Sequence, residues 1–316
     1  MALVPARPRS SSPHRGVGTT SALAALGVLT LAAAHLLGQY TFTGRVLDGA
    51  AQSALVLRSP SPKAAVLQVL NLVTIPSVAV VFALLVGTAV VRRRWWSAAG
   101  VVVLMAGATL TTQALKHELL DRPEVPWDDR NGLPSGHSTV AHVTGLALLF
   151  VVPARWRHPT AGMAALLGAS GGLATLLGGT HRPVDVAAAV GVGAVWAACA
   201  VLIARRDEPA TGPAWGGRYA REGAGATLRH DFRWAGAGVT LPVATQLAWI
   251  TWSRPPGMLE AAVSVLVIAV LVATTVALVV HALRPPPAAV PQAGRVGRPI
   301  RGPSPEAPGS RGWSTG

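Results

Sequence analysis

Long apolar runs, separated by short polar segments that carry most of the arginines, dominate this chain of 316 residues. A helix crossing about 30 Å of hydrocarbon needs roughly 20 mostly apolar residues. By that yardstick the pattern predicts eight spans, at 20–38, 66–91, 96–115, 138–153, 161–179, 184–204, 236–253 and 259–283. The expected fold is all-α, a polytopic transmembrane helical bundle. The first apolar run is long for a signal-peptide core and reads as a retained helix. The fifth, AGMAALLGASGGLATLLGG, is the weakest by hydropathy, and its small residues suit close helix–helix contact rather than lipid.

The polar stretches divide the chain. Residues 1–19 form an N-terminal segment, 20–204 a six-helix core, 205–235 a Gly/Ala/Arg-rich connector, and 236–283 a two-helix addition. The tail, 284–316, is basic and rich in proline and glycine, a composition that builds no core and is expected to be disordered. Weak attraction to anionic lipid headgroups is expected of it.

Composition agrees with the pattern. Hydrophobic residues make up 51% of the chain, mean hydropathy is +0.44 and charged residues reach only 13%, against about a quarter in soluble domains. The formal net charge of +14 would suit nucleic acid if it formed a stripe interleaved with aromatic residues. Instead it gathers in short connections: Arg92–Arg94, Arg155 and Arg157, Arg205 and Arg206, and both termini. Nucleic-acid binding is therefore set aside, and membrane lipids are the expected surroundings. The positive-inside rule places both termini and these connections in the cytoplasm of a cell inner (plasma) membrane protein. Segments 39–65, 116–137, 180–183 and 254–258 then face outward, although Arg45, Arg58, Lys63 and Arg254 lie among them. The single cysteine, Cys199, excludes an intrachain disulfide framework and a multi-cysteine metal site.

This topology delivers three polar clusters to one face. The third span ends in ALKHELLDRPEVPW, with Lys116 and Arg122; the fourth begins with LPSGHST, with Ser135, Gly136 and His137; GGTHRPVDVAAA joins the fifth to the sixth, with His181, Arg182 and Asp185. Lysine and arginine suit phosphate oxygens, and a Ser135–Gly136 turn at a helix N-terminus offers backbone N–H groups to an anion. Two histidines can share nucleophile and general-acid work. Asp185, four residues after His181, is expected on the same face of an opening helical turn, where it would hold the His181 Nδ1 proton. Pro183 fits the first turn of that helix. These groups describe phosphoryl transfer through a phosphohistidine, with no metal and no organic cofactor called for.

Other polar residues have blander readings. His142, inside the fourth span, suits a packing or hydrogen-bonding role. Trp95, Trp96, Trp156 and Trp252 fall near span ends, as in an interfacial belt. Glu118, Asp121, Glu124, Asp128 and Asp129 crowd one loop, where they balance nearby cations. Arg182 stands between phosphate ligand and headgroup anchor.

The order K…RP, PSGH and HxxxD, over about residues 65–205, resembles the type 2 phosphatidic acid phosphatase superfamily, whose integral membrane branch comprises lipid phosphate phosphatases. The resemblance implies that Lys116 and Arg122 bind phosphate, that His137 protonates the leaving group, and that His181 is the nucleophile, oriented by Asp185. It implies a lipid-linked phosphate or diphosphate as substrate, of the polyprenyl diphosphate, phosphatidate or phosphatidylglycerophosphate class. A catalytically impaired lipid-phosphate-binding homologue and a lipid phosphotransferase are the alternatives. Two departures stand out. Five residues rather than six separate Lys116 from Arg122, and Ala174–Thr175 replaces the family's Ser-Arg.

Overall fold

The computed structural model describes residues 14–120, 132–207 and 224–284. Arg122 and the acidic residues Asp121, Glu124, Asp128 and Asp129 lie outside the described residues, as do most of the N-terminal segment, part of the connector and nearly all of the tail.

The described residues form ten α-helices and no strand: α1 His14–Ala33, α2 Phe42–Leu55, α3 Pro60–Asn71, α4 Ile75–Val91, α5 Trp95–Ala114, α6 Gly136–Val151, α7 Arg157–Leu177, α8 Pro183–Ala204, α9 Ala224–Ser253 and α10 Met258–Ala282. Five helical stretches are long and apolar enough to cross a membrane: Val17–Gln39, Trp95–Leu119, Ala154–Leu177, Pro183–Asp207 and Met258–Ala282. They confirm the polytopic helical bundle.

The expected span 66–91 is not one helix. It is the pair α3 and α4, bent by 54° at a break. Thr74 causes the break: its backbone N–H donates to Ser77 Oγ at 2.9 Å, and its own hydroxyl accepts from the Ser77 N–H. That reciprocal cap starts a new helix, and Pro76, which lacks an N–H, fits only a first turn. The capping pattern TIPS is visible in the sequence, but a hydropathy window reads straight through it. The expected span 138–153 appears as a short apolar helix, α6, of 16 residues. Likewise α9 begins at Ala224, inside the expected connector 205–235, because Asp231 is buried there against polar side chains of α7 and α10.

Helix α8 is the central element, packed against α1, α5, α6 and α10. Alanine, glycine and valine make up most of its buried face. Gly27 of α1 and Gly191 of α8 meet so closely that a Cβ on Gly27 would lie 2.5 Å from the Gly191 carbonyl oxygen. Such backbone approach is how helices associate where water supplies no driving force. The weakly hydropathic run at 161–179 behaves as expected, with Ala161, Ala164, Ala165, Gly168, Ala169 and Gly172 buried along α7. Larger side chains face outward: Ile75, Leu84 and Val91 on α4 and Leu259, Val263 and Val270 on α10 are exposed.

The arginine-rich connections also close helix ends. Arg92 donates to the Val151 carbonyl at 2.9 Å and Arg94 to that of Phe150 at 3.0 Å. Arg157 donates to Leu283, and Arg205 twice to Ala282. These carbonyls belong to the last turns of α6 and α10, where the backbone has no acceptor-satisfying N–H of its own and the helix dipole favours a cation. Asp207 does the opposite for α5, accepting the N–H groups of Trp96 and Ser97.

Candidate phosphate site

Helix α7 ends in a Schellman turn. The Gly179 N–H donates to Leu176 and the Thr180 N–H to Thr175, with Gly179 at φ +73°, a conformation glycine adopts without strain. That turn hands the chain to His181. Helix α8 then starts at Pro183, so His181 lies just before it rather than on its opening turn. The pairing with Asp185 forms by another route. Asp185 is the third helical residue, and its Oδ2 reaches back to accept the Arg182 N–H at 2.9 Å while standing 3.2 Å from His181 Nδ1. A carboxylate only accepts, so Nδ1 is the donor in this contact and Nε2 is the ring nitrogen directed away from it. His181 is 8% exposed and Asp185 2%.

Two residues of α2 hold this turn from outside. Asp48 Oδ1 accepts the Val184 N–H at 3.0 Å, and Gln52 Nε2 donates to the His181 carbonyl at 3.4 Å. Neither was selected from the sequence, because the membrane-length yardstick passes over a helix of 14 residues. Its signal was present in the Thr41 N-cap, whose hydroxyl accepts the Gly44 N–H at 2.9 Å. Gly132 was missed as well. Its backbone passes so near the carboxylate that a Cβ there would lie 2.4 Å from Asp185 Oδ2.

On α6, Ser135 is the N-cap, fully buried, with its Oγ accepting from the Ser138 N–H and hydroxyl. The Ser135 N–H donates to the Asp185 carbonyl at 3.0 Å. Ser135 therefore serves to join α6 to α8, while the Gly136 and His137 amides, in the first helical turn, have no intrahelical acceptor. His137 is the second residue of α6, ahead of its apolar stretch. Desolvation, then the neighbouring His181 and Lys116, hold its imidazole below the ordinary histidine value, against a hydrogen bond to the Leu70 backbone. Leu70 belongs to the last turn of α3, so the break before α4 brings a backbone acceptor to His137. Lys116 sits in a π-helical turn, Leu115–Leu119, that ends α5; such turns are frequent at functional sites.

One cavity of about 610 Å³ collects Lys116, Gly136, His137 and His181 on its wall. The rest is largely apolar: Val73, Ile75, Val78 and Phe82 from the bent pair, Met105 and Leu110 from α5, Val140 and Val143 from α6. Ser135 and Asp185 stand behind that wall, and Arg182 is outside the lining too. Thr175 is fully buried, 3.4 Å from Ser138 Oγ, below the same loop. His142 packs against glycine, since a Cβ on Gly168 would lie 2.7 Å from its Nδ1, and its ring nitrogens make no hydrogen bond among the described residues.

These features define a membrane-embedded helical protein whose site suits a phosphorylated ligand. Residues 101–208 match the family model described as the PAP2 superfamily, the family that the three motifs resemble. The matched segment carries every motif residue from Lys116 to Asp185, and it implies phosphatase chemistry on phosphate esters. Searches among curated proteins and among solved structures return no match.

Proposed function

We propose that this chain hydrolyses a lipid-linked phosphate or diphosphate, at the outward face of the membrane, through a phosphohistidine. The observation that carries the reading is the two-sided cavity, with two histidines and a lysine at one end and apolar walls from α4, α5 and α6 along the rest. A phosphate headgroup would meet the polar end while its acyl or prenyl chain lies against Val78, Phe82 and Val140.

In this reading, His181 Nε2 attacks phosphorus in line and a P–N bond forms as the P–O bond to the lipid breaks. His137 passes its proton to the departing oxygen. Asp185, bonded to Nδ1, stabilises the imidazolium that results. Lys116, Arg122 and the amides of the Gly136 turn neutralise the phosphoryl charge, while Arg182, outside the lining, is left as a headgroup anchor. Water, deprotonated by His137, then cleaves the P–N bond and releases phosphate. An outward site favours a polyprenyl diphosphate or a related envelope lipid over the other classes.

Thr175 favours a second reading. It stands where the family carries arginine, and its hydroxyl is used up in bonds to Gly172 and Ser138. A chain lacking that cation would bind lipid phosphate without turning it over. Phosphate release by detergent-purified protein, over a panel of polyprenyl, phosphatidyl and phosphatidylglycero phosphates, separates the two. Release by wild type that His181→Ala abolishes supports the enzyme. Release from no lipid by wild type, with release from Thr175→Arg, supports the binder.

A further inference from the structure

A second polar cluster lies at the end of the bundle opposite the cavity, where α6 and α8 finish. It is built from His158 in the first turn of α7, His230 and Asp231 near the start of α9, His281 in the last turn of α10, and Arg284 just beyond. Asp231 is fully buried. His158 Nε2 lies 3.3 Å from its Oδ1 and His281 Nδ1 3.5 Å from its Oδ2, and Oδ2 makes no hydrogen bond among the described residues. The His158 and His230 rings meet edge to face, centroids 4.5 Å apart. One donor atom each from His158, His230 and Asp231 falls within 4.8 Å of the others.

We propose that His158, His230 and Asp231 bind a divalent transition metal of the zinc class. Zinc takes imidazole nitrogen and carboxylate oxygen in a tetrahedron, and bonds of about 2.0–2.1 Å set neighbouring ligand atoms roughly 3.3 Å apart. The separation of His158 Nε2 from Asp231 Oδ1 is of that size. A cation already occupies this place: Arg284 Nη2 bonds Asp231 Oδ1 and stands 3.2 Å from His158 Nε2. The metal would take the position of that guanidinium nitrogen and leave Arg284, at the edge of the basic tail, to turn outward. Three protein ligands leave the fourth position to water. The metal would tie α7 to α9 at the end of the bundle facing away from the phosphate cavity.

The test uses full-length protein in detergent, purified on a histidine-free tag and stripped with chelator, with Zn²⁺ as the probe. One zinc per chain is expected after desalting. His158→Gln/His230→Gln would bind at least tenfold more weakly, while His137→Gln/His181→Gln keeps wild-type affinity. Arg284→Ala would bind at least as tightly as wild type, since it removes the competing cation. Less than stoichiometric zinc, or wild-type affinity in His158→Gln/His230→Gln, overturns the proposal. Should that double variant fail to fold, Co²⁺ loaded into wild type decides. An intense visible spectrum of tetrahedral cobalt supports the site, and a weak octahedral spectrum overturns it.

Discussion

Asp48 on α2 and Val184 on α8 are joined by a hydrogen bond of 3.0 Å, from the Val184 N–H to Asp48 Oδ1, across 136 residues of sequence. With Gln52 it holds the turn that presents His181. The carboxylate also satisfies one of the orphan donors at the start of α8, so α2 works as an external helix cap. Asp48→Leu is expected to cost about 1 kcal/mol of stability, the usual worth of a cap, and to lower kcat by roughly tenfold through misplacement of His181. KM should stay nearly unchanged, and Asp48→Asn, which keeps an acceptor oxygen, should recover most of the rate. Steady-state kinetics and thermal unfolding check this.

Asp185→Asn keeps the shape of the side chain but removes the negative charge beside His181 that would stabilise an imidazolium. Phosphate release is expected to fall by about 10²–10⁴-fold, the range for a lost orienting or general acid–base partner. Substrate binding, measured separately, should change little.

Gly132→Ala places a methyl carbon 2.4 Å from Asp185 Oδ2, closer than non-bonded atoms approach. The 132 backbone or the carboxylate must shift, and the His181 contact shifts with it. Activity should drop at least tenfold, since displacements near 1 Å carry penalties of that order or more. Circular dichroism should still report a helical bundle.

The pH profile follows from His137. A general acid acts while protonated, so kcat/KM falls as pH rises through its free-enzyme pKa. Burial and the nearby His181 and Lys116 hold that value below the ordinary 6.5. The alkaline limb of the profile should therefore fall on the acid side of 6.5, and His137→Gln should lose it. An alkaline limb in His137→Gln at the wild-type position would assign the acid to another group.

Val140 lines the apolar part of the cavity one turn beyond His137. On the proposed lipid-phosphatase reading, Val140→Trp would fill the space of the lipid chain. A rise in KM of tenfold or more is expected for long-chain lipid phosphates, with little change for a short soluble phosphate ester. Equal loss on both would place the lipid chain elsewhere.

Much of this protein is legible in its sequence because the relevant signals are local. Crossing hydrocarbon takes a fixed length of apolar residues, so hydropathy alone located α1, α5, α7, α8 and α10. Lys116, His137, His181 and Asp185 each sit in a short motif whose chemistry is read from a few neighbouring residues, and the structure brings three of them to one cavity wall with the fourth behind it. The tertiary structure decided the rest. It broke the run at 66–91 and used the break to bring Leu70 to His137. It turned the N–H of Ser135 to Asp185, recruited Asp48, Gln52 and Gly132 around the His181 turn, and gathered His158, Asp231 and His281 from three helices. Each of these is a contact between residues far apart in the chain. A hydropathy period or motif records what one segment requires of its surroundings, and only packing determines which distant polar group answers that requirement.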